Sequence, residues 1–254
     1  MILKQFDLTG KVAIVTGASK GIGKAIAVAL AQQGAHVLVS SRNQEAVDAV
    51  AKEITDQGWK ASASACHMGD DDQVNRLATN TIKSLGGVDI IVNNAAANPV
   101  FGPLEQAGDE AFQKIMQVNV QGPLNLAKYC LESMKARGGG SVVNISSIEG
   151  ITPGHGLGLY SVSKAALIQL TKVMAREWGK DNIRANAICP GLVETKFSEA
   201  LTSNEKIMGM VMKKQALPML AKPEDMVGMA LYLASPASQF VTGSVMVADG
   251  GFTI

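Results

Sequence analysis

Residues 11–23, KVAIVTGASKGIG, place a short apolar run directly before three closely spaced glycines. The run is rich in β-branched side chains and lacks polar alternation, which is typical of a strand buried on both faces of a parallel sheet. Gly17, Gly21 and Gly23 then lead into an Ala- and Ile-rich helical pattern. Because a helix N-terminus offers unpaired N–H groups and partial positive charge, this strand–turn–helix unit predicts the pyrophosphate-binding turn of a dinucleotide site.

Buried strands and helical patterns alternate along the rest of the chain. Strands are predicted at 11–16, 36–40, 61–66, 88–94, 141–147, 183–189 and 244–251, and helices at about 22–33, 44–56, 71–85 (behind an Asp70 cap), 109–136, 159–178 and 223–234. Such alternation produces βαβ crossovers and a parallel sheet. No linker, repeat or charge run divides the chain. We therefore expect one α/β domain over residues 1–254, a doubly wound (Rossmann) seven-stranded parallel sheet with helices on both faces.

The composition and net charge of the chain indicate which kinds of partner it is not expected to bind. Of its 254 residues, 47% are hydrophobic and 18% charged, which is enough for one core, and the net charge is only +1. Neither nucleic acid nor a membrane surface is therefore an expected partner. Cys66, Cys130 and Cys189 form no C-x-x-C pair, so we predict no metal site. Isolated cysteines, with no recognisable signal peptide or membrane-spanning run, predict a cytoplasmic location.

Tyr160 and Lys164 are predicted to share one face of the helix at 159–178, because residues four apart are neighbours there. A phenol titrates at about 10. A nearby ammonium favours the phenolate, so this tyrosine could exchange a proton with an alcohol or carbonyl oxygen. Ser147 is expected at the carboxyl end of the fifth strand, where its hydroxyl could stabilise charge on a substrate oxygen. The adjacent Ser146 would face the other way.

The end of the second strand bears on the choice of dinucleotide. NAD enzymes place an acidic residue here to accept hydrogen bonds from the ribose 2′-hydroxyl. This chain has Ser41, Arg42 and Asn43 instead. An arginine fork suits a 2′-phosphate, and Lys20 in the glycine turn could add a second positive contact. The sequence therefore predicts NADP(H) as the cofactor.

These residues, in this order, resemble the short-chain dehydrogenase/reductase family from Lys11 to Gly251. The similar segments are the TGxxxGxG turn at 16–23, the sequence NNA at 93–95, YxxxK at 160–164, and PG at 190–191 followed by Thr195. The resemblance implies four catalytic residues, Asn119, Ser147, Tyr160 and Lys164. In that reading Asn119 kinks its helix and holds a water linked to Lys164, which also hydrogen-bonds the nicotinamide ribose.

The same resemblance implies a cofactor site that includes several backbone positions. Its residues would be Gly17, Ser19, Lys20, Gly21, Ile22, Gly23, Ser41, Arg42, Asn43, His67, Met68, Asn94, Ala95, Tyr160, Lys164, Pro190, Gly191, Val193 and Thr195. Two positions depart from the usual family pattern. Ala96 replaces the glycine of NNAG, and His67 replaces an aspartate that often contacts the adenine amino group.

A narrower likeness concerns the reaction. The segments NNAAANPVFGP, SSRN and ACHMG resemble NADPH-dependent carbonyl reductases of the peroxisomal retinal/carbonyl reductase type and their bacterial relatives. This implies reversible reduction of an apolar ketone or aldehyde, a substrate lid at about 192–217, and a homotetramer formed through the helices of Asn119 and Tyr160. Two alternatives stay open, a 3-oxoacyl-carrier-protein reductase and a non-catalytic NADP(H)-binding regulatory protein. A serine hydrolase is disfavoured because the three histidines, His36, His67 and His155, have no evident partners for a catalytic triad.

Overall fold

The computed structural model describes residues 2–254, with side chains from residue 4 onward. Their strands form one parallel sheet in the order β3-β2-β1-β4-β5-β6-β7. The strands are β1 Val12–Thr16, β2 His36–Ser41, β3 Lys60–Ala65, β4 Ile90–Asn93, β5 Gly140–Ile145, β6 Ile183–Pro190 and β7 Val245–Ala248. The predicted seven-stranded doubly wound sheet is confirmed.

Helices cover both faces of the sheet. They are α1 Gly21–Gln32, α2 Gln44–Asp56, α3 Asp71–Leu85, α4 Asp109–Met116, α5 Gly122–Ala136, α6 Gly158–Trp178, α7 Glu199–Thr202, α8 Glu205–Lys214 and α9 Val227–Ala234. One apolar core lies beneath α1, α2 and α9, and a second beneath α3, α5 and α6. Alternate side chains of β1 enter the two cores, Ala13 and Val15 the first and Ile14 the second, because successive side chains of a strand point to opposite faces.

Side-chain caps fix two helix starts where the sequence predicts them. Asn43 Oδ1 accepts a hydrogen bond from the Ala46 N–H (2.8 Å) at α2, and Asp70 Oδ1 accepts one from the Gln73 N–H (3.0 Å) at α3. Such caps satisfy N–H groups that have no partner within the helix. At its other end α3 stops at Gly86, which takes a left-handed conformation (φ 78°) that side chains with a Cβ rarely adopt.

Two expectations need correction. The predicted helix 109–136 is not continuous, because a π turn, Gln117–Gln121, interrupts it just before Gly122 and Pro123. Those two residues begin α5, where proline is tolerated because its missing N–H would have no helical partner. The fifth strand ends at Ile145, so Ser147 lies in the following loop and begins a short 3₁₀ turn, Ile148–Gly150.

The sheet order reverses between β1 and β4, so the chains leaving these two strands diverge and open a crevice. In a doubly wound sheet, ligands bind in such a crevice at the carboxyl ends of the strands. The segments that follow β1, β2, β4, β5 and β6 all emerge at this edge, and they carry most of the predicted site residues.

Among residues 2–254, no helix combines the length and the apolar character needed to cross a membrane.

Candidate active site

The glycine turn after β1 is held in shape from β4. Gly17 and Gly21 take positive φ angles of 64° and 58°, which favour glycine. The Asn94 side-chain amide donates to the carbonyls of Thr16 and Gly17, both at 3.0 Å. A Cβ on Gly17 would lie 2.8 Å from the Asn94 Nδ2, and one on Gly23 would collide with the same amide. Asn94 was predicted to contact the cofactor, and in the structure its side-chain amide stabilises the glycine turn through these two hydrogen bonds.

Thr16 also stabilises the glycine turn, a role that was not predicted although Thr16 begins the TGxxxGxG motif. Its Oγ1 accepts hydrogen bonds from the backbone N–H groups of Asn94 and Ala95, both at 3.1 Å. The hydroxyl therefore joins the end of β1 to the end of β4 across the crevice. Its place at the end of a β-branched apolar run was the signal available in the sequence.

The exposed side of the turn faces Thr195. The N-terminus of α1 begins after Lys20, which is exposed and forms no side-chain cap, and Ser19 and Ile22 flank it half-buried. A Cβ on Gly21 would lie 3.2 Å from the Thr195 methyl group. The sequence-predicted residues of the turn and Thr195 thus come together across a narrow gap at a helix N-terminus, where an anion is stabilised.

Thr195 is held by its own loop. The Thr195 N–H donates to Ser198 Oγ (3.1 Å), and this hydroxyl also hydrogen-bonds the Val193 carbonyl. Pro190 ends β6, and the Gly191 N–H donates to the Ala248 carbonyl (2.9 Å). The four predicted residues between 190 and 195 therefore lie together at the carboxyl edge of the sheet.

The residues predicted to bind the adenosine half line the ends of β2 and β3. Arg42 is exposed and has no ion-pair partner within residues 2–254, and Ser41 ends β2. The Asn43 side-chain oxygen accepts the capping hydrogen bond at the start of α2 described above. His67 Nδ1 accepts the Gly69 N–H (3.1 Å), and the neighbouring Met68 is buried. Of this group, Arg42 is the residue whose charged side chain is free to meet a ligand.

Ser147, Tyr160 and Lys164 converge beside the crevice. The Lys164 side chain is buried, its Nζ donates to the Ile145 carbonyl (2.7 Å), and it lies 5.5 Å from the centre of the Tyr160 ring. Ser146 Oγ points into the protein and donates to the Lys164 carbonyl (2.9 Å), whereas Ser147 is half-buried and interacts with the Tyr160 hydroxyl. The predicted opposite orientation of the two serines is therefore present.

The electrostatics of the pair differ from the sequence expectation. Burial raises the pKa of Tyr160 well above its usual value, the charge of Glu149 and the thiol of Cys189 raise it further, and Ser147 acts in the opposite direction. Burial also lowers the pKa of Lys164 to about 8. The Lys164 Nζ is directed at the Ile145 carbonyl, 5.5 Å from the centre of the Tyr160 ring, and burial of the phenol outweighs the effect of a nearby ammonium that the sequence predicts. A protonated phenol beside a serine hydroxyl is the state suited to giving a proton to an oxygen.

Asn119 lies fully buried in the π turn between α4 and α5. Its Oδ1 accepts the Ala97 N–H (2.7 Å), and its Nδ2 donates to the Ala97 carbonyl and to Ser163 Oγ, both at 3.0 Å. Ser163 in turn donates to the Tyr160 carbonyl (2.7 Å). The amide is thus tied to the helix of Tyr160 through Ser163, a link that was not predicted, and it makes no hydrogen bond to Lys164 among the described residues.

The segment after β6 covers the crevice from the side. Neither α7 nor α8 contains a fully buried residue, and the Phe197 ring, 55% exposed, lies 5.9 Å from the Tyr160 ring between centroids. This segment therefore reaches the predicted proton donor while remaining loosely packed. No group of three His, Cys, Asp or Glu side chains in the described part of the chain is arranged to hold a metal ion.

Comparison with known proteins agrees with this geometry. The model of a protein family described as enoyl-(acyl carrier protein) reductase matches residues 17–253. Dehydrogenase/reductase SDR family member 4 from rabbit (Oryctolagus cuniculus) is 40% identical over 250 residues, which cover 98% of this chain and 96% of that protein.

Solved structures with the same fold cover almost the whole chain. A gluconate 5-dehydrogenase from Burkholderia cenocepacia, in complex with NADP and tartrate, has a TM-score of 0.96 at 31% identity and covers 100% of this chain and 99% of its own. A 7α-hydroxysteroid dehydrogenase complexed with NADH and 7-oxo glycochenodeoxycholic acid has a TM-score of 0.93 at 34% identity, over 97% of this chain and 96% of its own. Fold, glycine turn and sequence likeness agree over the full length, and this chain belongs to the short-chain dehydrogenase/reductase family of nicotinamide-dependent oxidoreductases.

Proposed function

We propose that this oxidoreductase is an NADPH-dependent carbonyl reductase, which reduces an apolar ketone or aldehyde to the alcohol and oxidises the alcohol in the reverse direction. The observation that carries the proposal is the convergence of Ser147, Tyr160 and Lys164 beside the β1–β4 crevice. A proton donor is what carbonyl reduction requires of the protein, because the oxygen gains a proton as its carbon is reduced.

The residues of the crevice fit a dinucleotide cofactor. Gly17 and Gly21 keep the turn open at the N-terminus of α1, and Thr195 stands opposite, so these groups would hold the pyrophosphate. Lys164, buried next to Tyr160, would hold the ribose nearest the nicotinamide. When bound, the cofactor supplies the hydride for reduction and accepts it in oxidation.

The roles of the protein side chains follow from their surroundings. Tyr160 keeps its proton in this buried site and gives it to the substrate oxygen, while Ser147 hydrogen-bonds and orients the same oxygen. The Lys164 ammonium favours the ionised phenol that remains. We propose that Asn119, tied to α6 through Ser163, keeps a path for protons from solvent to this pair.

The preference for NADP(H) rests on the end of β2. Relatives differ in this respect, since the Burkholderia enzyme is described with NADP and the hydroxysteroid dehydrogenase with NADH. NAD enzymes place a carboxylate at the end of β2, whereas residues 41–43 of this chain carry none and include the exposed Arg42. Together with Lys20, Arg42 supplies positive charge for a 2′-phosphate.

Apolar side chains around the crevice support an apolar substrate. Phe101, Ile151 and Phe197 are exposed, and they lie in the segments that follow β4, β5 and β6. We propose that residues 192–217 form a lid that closes over the substrate and excludes water. Large apolar side chains left in solvent at the mouth of a site are a common mark of a ligand surface.

We further propose that the protein is a homotetramer. Phe112 on α4 and Val162 and Val173 on α6 are exposed, and a shallow apolar groove runs along α4 and α5. A second set of exposed apolar side chains, Phe240 and Val247, lies around β7. Two separate self-complementary surfaces are what a tetramer with crossed two-fold axes needs.

A cytoplasmic location is proposed on a different ground, the three buried and unpaired cysteines.

A 3-oxoacyl-carrier-protein reductase is the second candidate. One observation favours it, the basic side chains Lys206, Lys213 and Lys214 on the lid helix α8, which could meet the acidic surface of a carrier protein. Turnover of acyl-carrier thioesters in preference to simple ketones would identify this activity.

The test of the main proposal is a kinetic comparison of NADPH and NADH over aldehydes, diketones and ketones, with Tyr160→Phe measured alongside. We expect turnover with several carbonyls, a higher kcat/KM with NADPH, and a loss of about 10²- to 10⁴-fold in Tyr160→Phe, the usual contribution of a positioned acid. Binding of NADPH without turnover of any carbonyl would instead support the regulatory alternative. Substantial activity in Tyr160→Phe would show that another group gives the proton.

The cofactor assignment has its own control. Arg42→Ser should lower kcat/KM for NADPH by about 10- to 100-fold, the loss of one or two charge-assisted hydrogen bonds, and leave the value for NADH unchanged. Lys52→Ser removes an equally exposed positive charge on α2, where Lys52 pairs with Asp56, and should change neither value. Equal effects of the Arg42 change on both cofactors would contradict 2′-phosphate recognition.

A further inference from the structure

Glu149 links the loop that carries Ser147 to the helix that carries Tyr160. Its Oε2 accepts two hydrogen bonds, from the Gly154 N–H (2.6 Å) and from Ser161 Oγ (2.8 Å). Ser161 follows Tyr160 in the first turn of α6 and is buried. The carboxylate thus closes the loop 149–154 on itself and fastens it to the turn that holds the proton donor.

Other contacts show that this fastening lies inside a tightly packed junction. The Glu149 N–H donates to Ser147 Oγ (3.1 Å), so Glu149 is hydrogen-bonded both to Ser147 and to Ser161, which follows Tyr160 on α6. A Cβ on Gly154 would lie 2.8 Å from Glu149 Oε1, and one on Gly150 would lie 2.7 Å from the Lys164 carbonyl carbon. The close approach of loop and helix therefore depends on two glycines and one carboxylate.

The charge of Glu149 also acts on Tyr160. The titratable groups that face this phenol are Lys164 on its own helix, Glu149 in the loop and Cys189 on β6, and the lid contributes the uncharged Phe197. Glu149 raises the pKa of the phenol, as a neighbouring negative charge must, because it repels the phenolate.

We propose that Glu149 is a positioning residue with two functions: it sets the placement of Ser147 against Tyr160, and its negative charge keeps the Tyr160 proton in place until the substrate takes it. The kinetic part of this inference rests on the proposed carbonyl reduction. The structural and electrostatic parts concern only the protein with its nicotinamide cofactor.

Two substitutions separate the functions. Glu149→Gln keeps the length of the side chain and an acceptor oxygen, and one oxygen makes both hydrogen bonds in the structure, but it removes the charge. Glu149→Asp keeps the charge but is one methylene shorter, so it cannot reach Gly154 and Ser161 together. Each variant is therefore the control for the other.

The charge is tested by NMR of the protein labelled at the tyrosine ring carbon that bears the hydroxyl, saturated with the oxidised cofactor. The chain has three tyrosines, and Tyr160→Phe identifies the resonance. In Glu149→Gln the titration midpoint of Tyr160 should fall by about 0.5–1 pH unit, the effect of losing one nearby charge, and in Glu149→Asp it should stay near the wild-type value. An unchanged midpoint in Glu149→Gln would overturn the electrostatic function.

The placement is tested by hydrogen exchange at the Gly154 amide and by kcat. Glu149→Asp should speed exchange by about tenfold, as expected for loss of a charge-assisted hydrogen bond, move the Tyr160 chemical shift at every pH, and lower kcat more than it raises KM. Glu149→Gln keeps a neutral acceptor for this hydrogen bond and should speed exchange by less than Glu149→Asp does. Wild-type exchange together with a wild-type Tyr160 shift in Glu149→Asp would overturn the positioning function.

These readouts stay separate from the proposed reaction. If no carbonyl is turned over by the wild-type protein, the proposed function fails, while the exchange rate, the chemical shift and the titration midpoint still decide the function of Glu149.

Discussion

At the scale of single residues, the site contains a charge that the fold destabilises. The Lys164 ammonium is buried against the Ile145 carbonyl, and its pKa falls from 10.5 to about 8. A lowered pKa means that the folded protein binds this proton more weakly than the unfolded chain does. Burying the charged form therefore costs stability at neutral pH, a cost that functional sites commonly carry.

We predict that Lys164→Met is inactive but more stable than the wild-type protein without cofactor at pH 7. The lowered pKa means that the buried charge reduces the free energy of unfolding by about 3 kcal/mol, and methionine removes this effect. The variant also loses the hydrogen bond to Ile145, which contributes about 1 kcal/mol, so its free energy of unfolding should be higher by about 2 kcal/mol. Urea unfolding at pH 7 measures this difference.

The pH dependence of the stability difference between Lys164→Met and the wild-type protein shows whether the buried lysine charge causes it. Between about pH 8 and 10.5 the unfolded chain holds the lysine proton and the folded protein has released it, so wild-type stability rises with pH in this window. The gap between the two proteins should therefore narrow at pH 10. A methionine variant that is the less stable protein at pH 7 would contradict this account.

At the scale of elements, both ends of the proposed lid are hydrogen-bonded to the end of β7 and the turn that follows it (residues 248–252). The Gly191 N–H, before the lid, donates to the Ala248 carbonyl (2.9 Å). The Leu217 N–H, at the lid's far end, donates to the Gly250 carbonyl (2.8 Å). The lid helices themselves have no buried side chains, so these fastenings set where the lid stands.

We predict that Phe252→Ala loosens the lid. The Lys214 Nζ lies 4.1 Å from the centre of the Phe252 ring, at the end of α8. Loss of this cation–π contact should raise the rate of tryptic cleavage at Lys213 and Lys214 by about two- to fivefold. Lys52→Ser on α2 leaves the Phe252 contact intact, should not change cleavage at Lys213 and Lys214, and is the control. Equal cleavage of the wild-type protein and Phe252→Ala would show that the contact does not hold the lid.

At the scale of the whole molecule, the exposed apolar side chains on α4 and α6 predict association between copies of the chain. Val173→Arg places a charge on the α6 surface and should convert a tetramer into dimers at micromolar concentration, because one of two interfaces is lost while that around β7 remains. Light scattering coupled to gel filtration measures the mass. Lys52→Ser on α2 should keep the wild-type mass, and a monomeric wild-type protein would refute the tetramer.

The order of elements could be predicted because its signals are local. Buried β-branched runs and the Asp70 cap act within a few residues, and the structure places α2 and α3 at the predicted residues 44–56 and 71–85. The family resemblance implies a kink at Asn119, but the pattern of residues did not predict the π turn, because its hydrogen-bond register follows from packing against neighbouring elements.

The sequence by itself determined the alternation of strands and helices, the glycine turn, and the spacing that puts Tyr160 and Lys164 on one helix face, since each depends on residues close together in the chain. Only the tertiary structure decided that Asn94 braces the turn, that Glu149 fastens the Ser147 loop to α6, and that the Tyr160 proton is held tightly. The physical reason is that desolvation and charge–charge interaction depend on which distant segments meet, and that information exists only once the chain has folded.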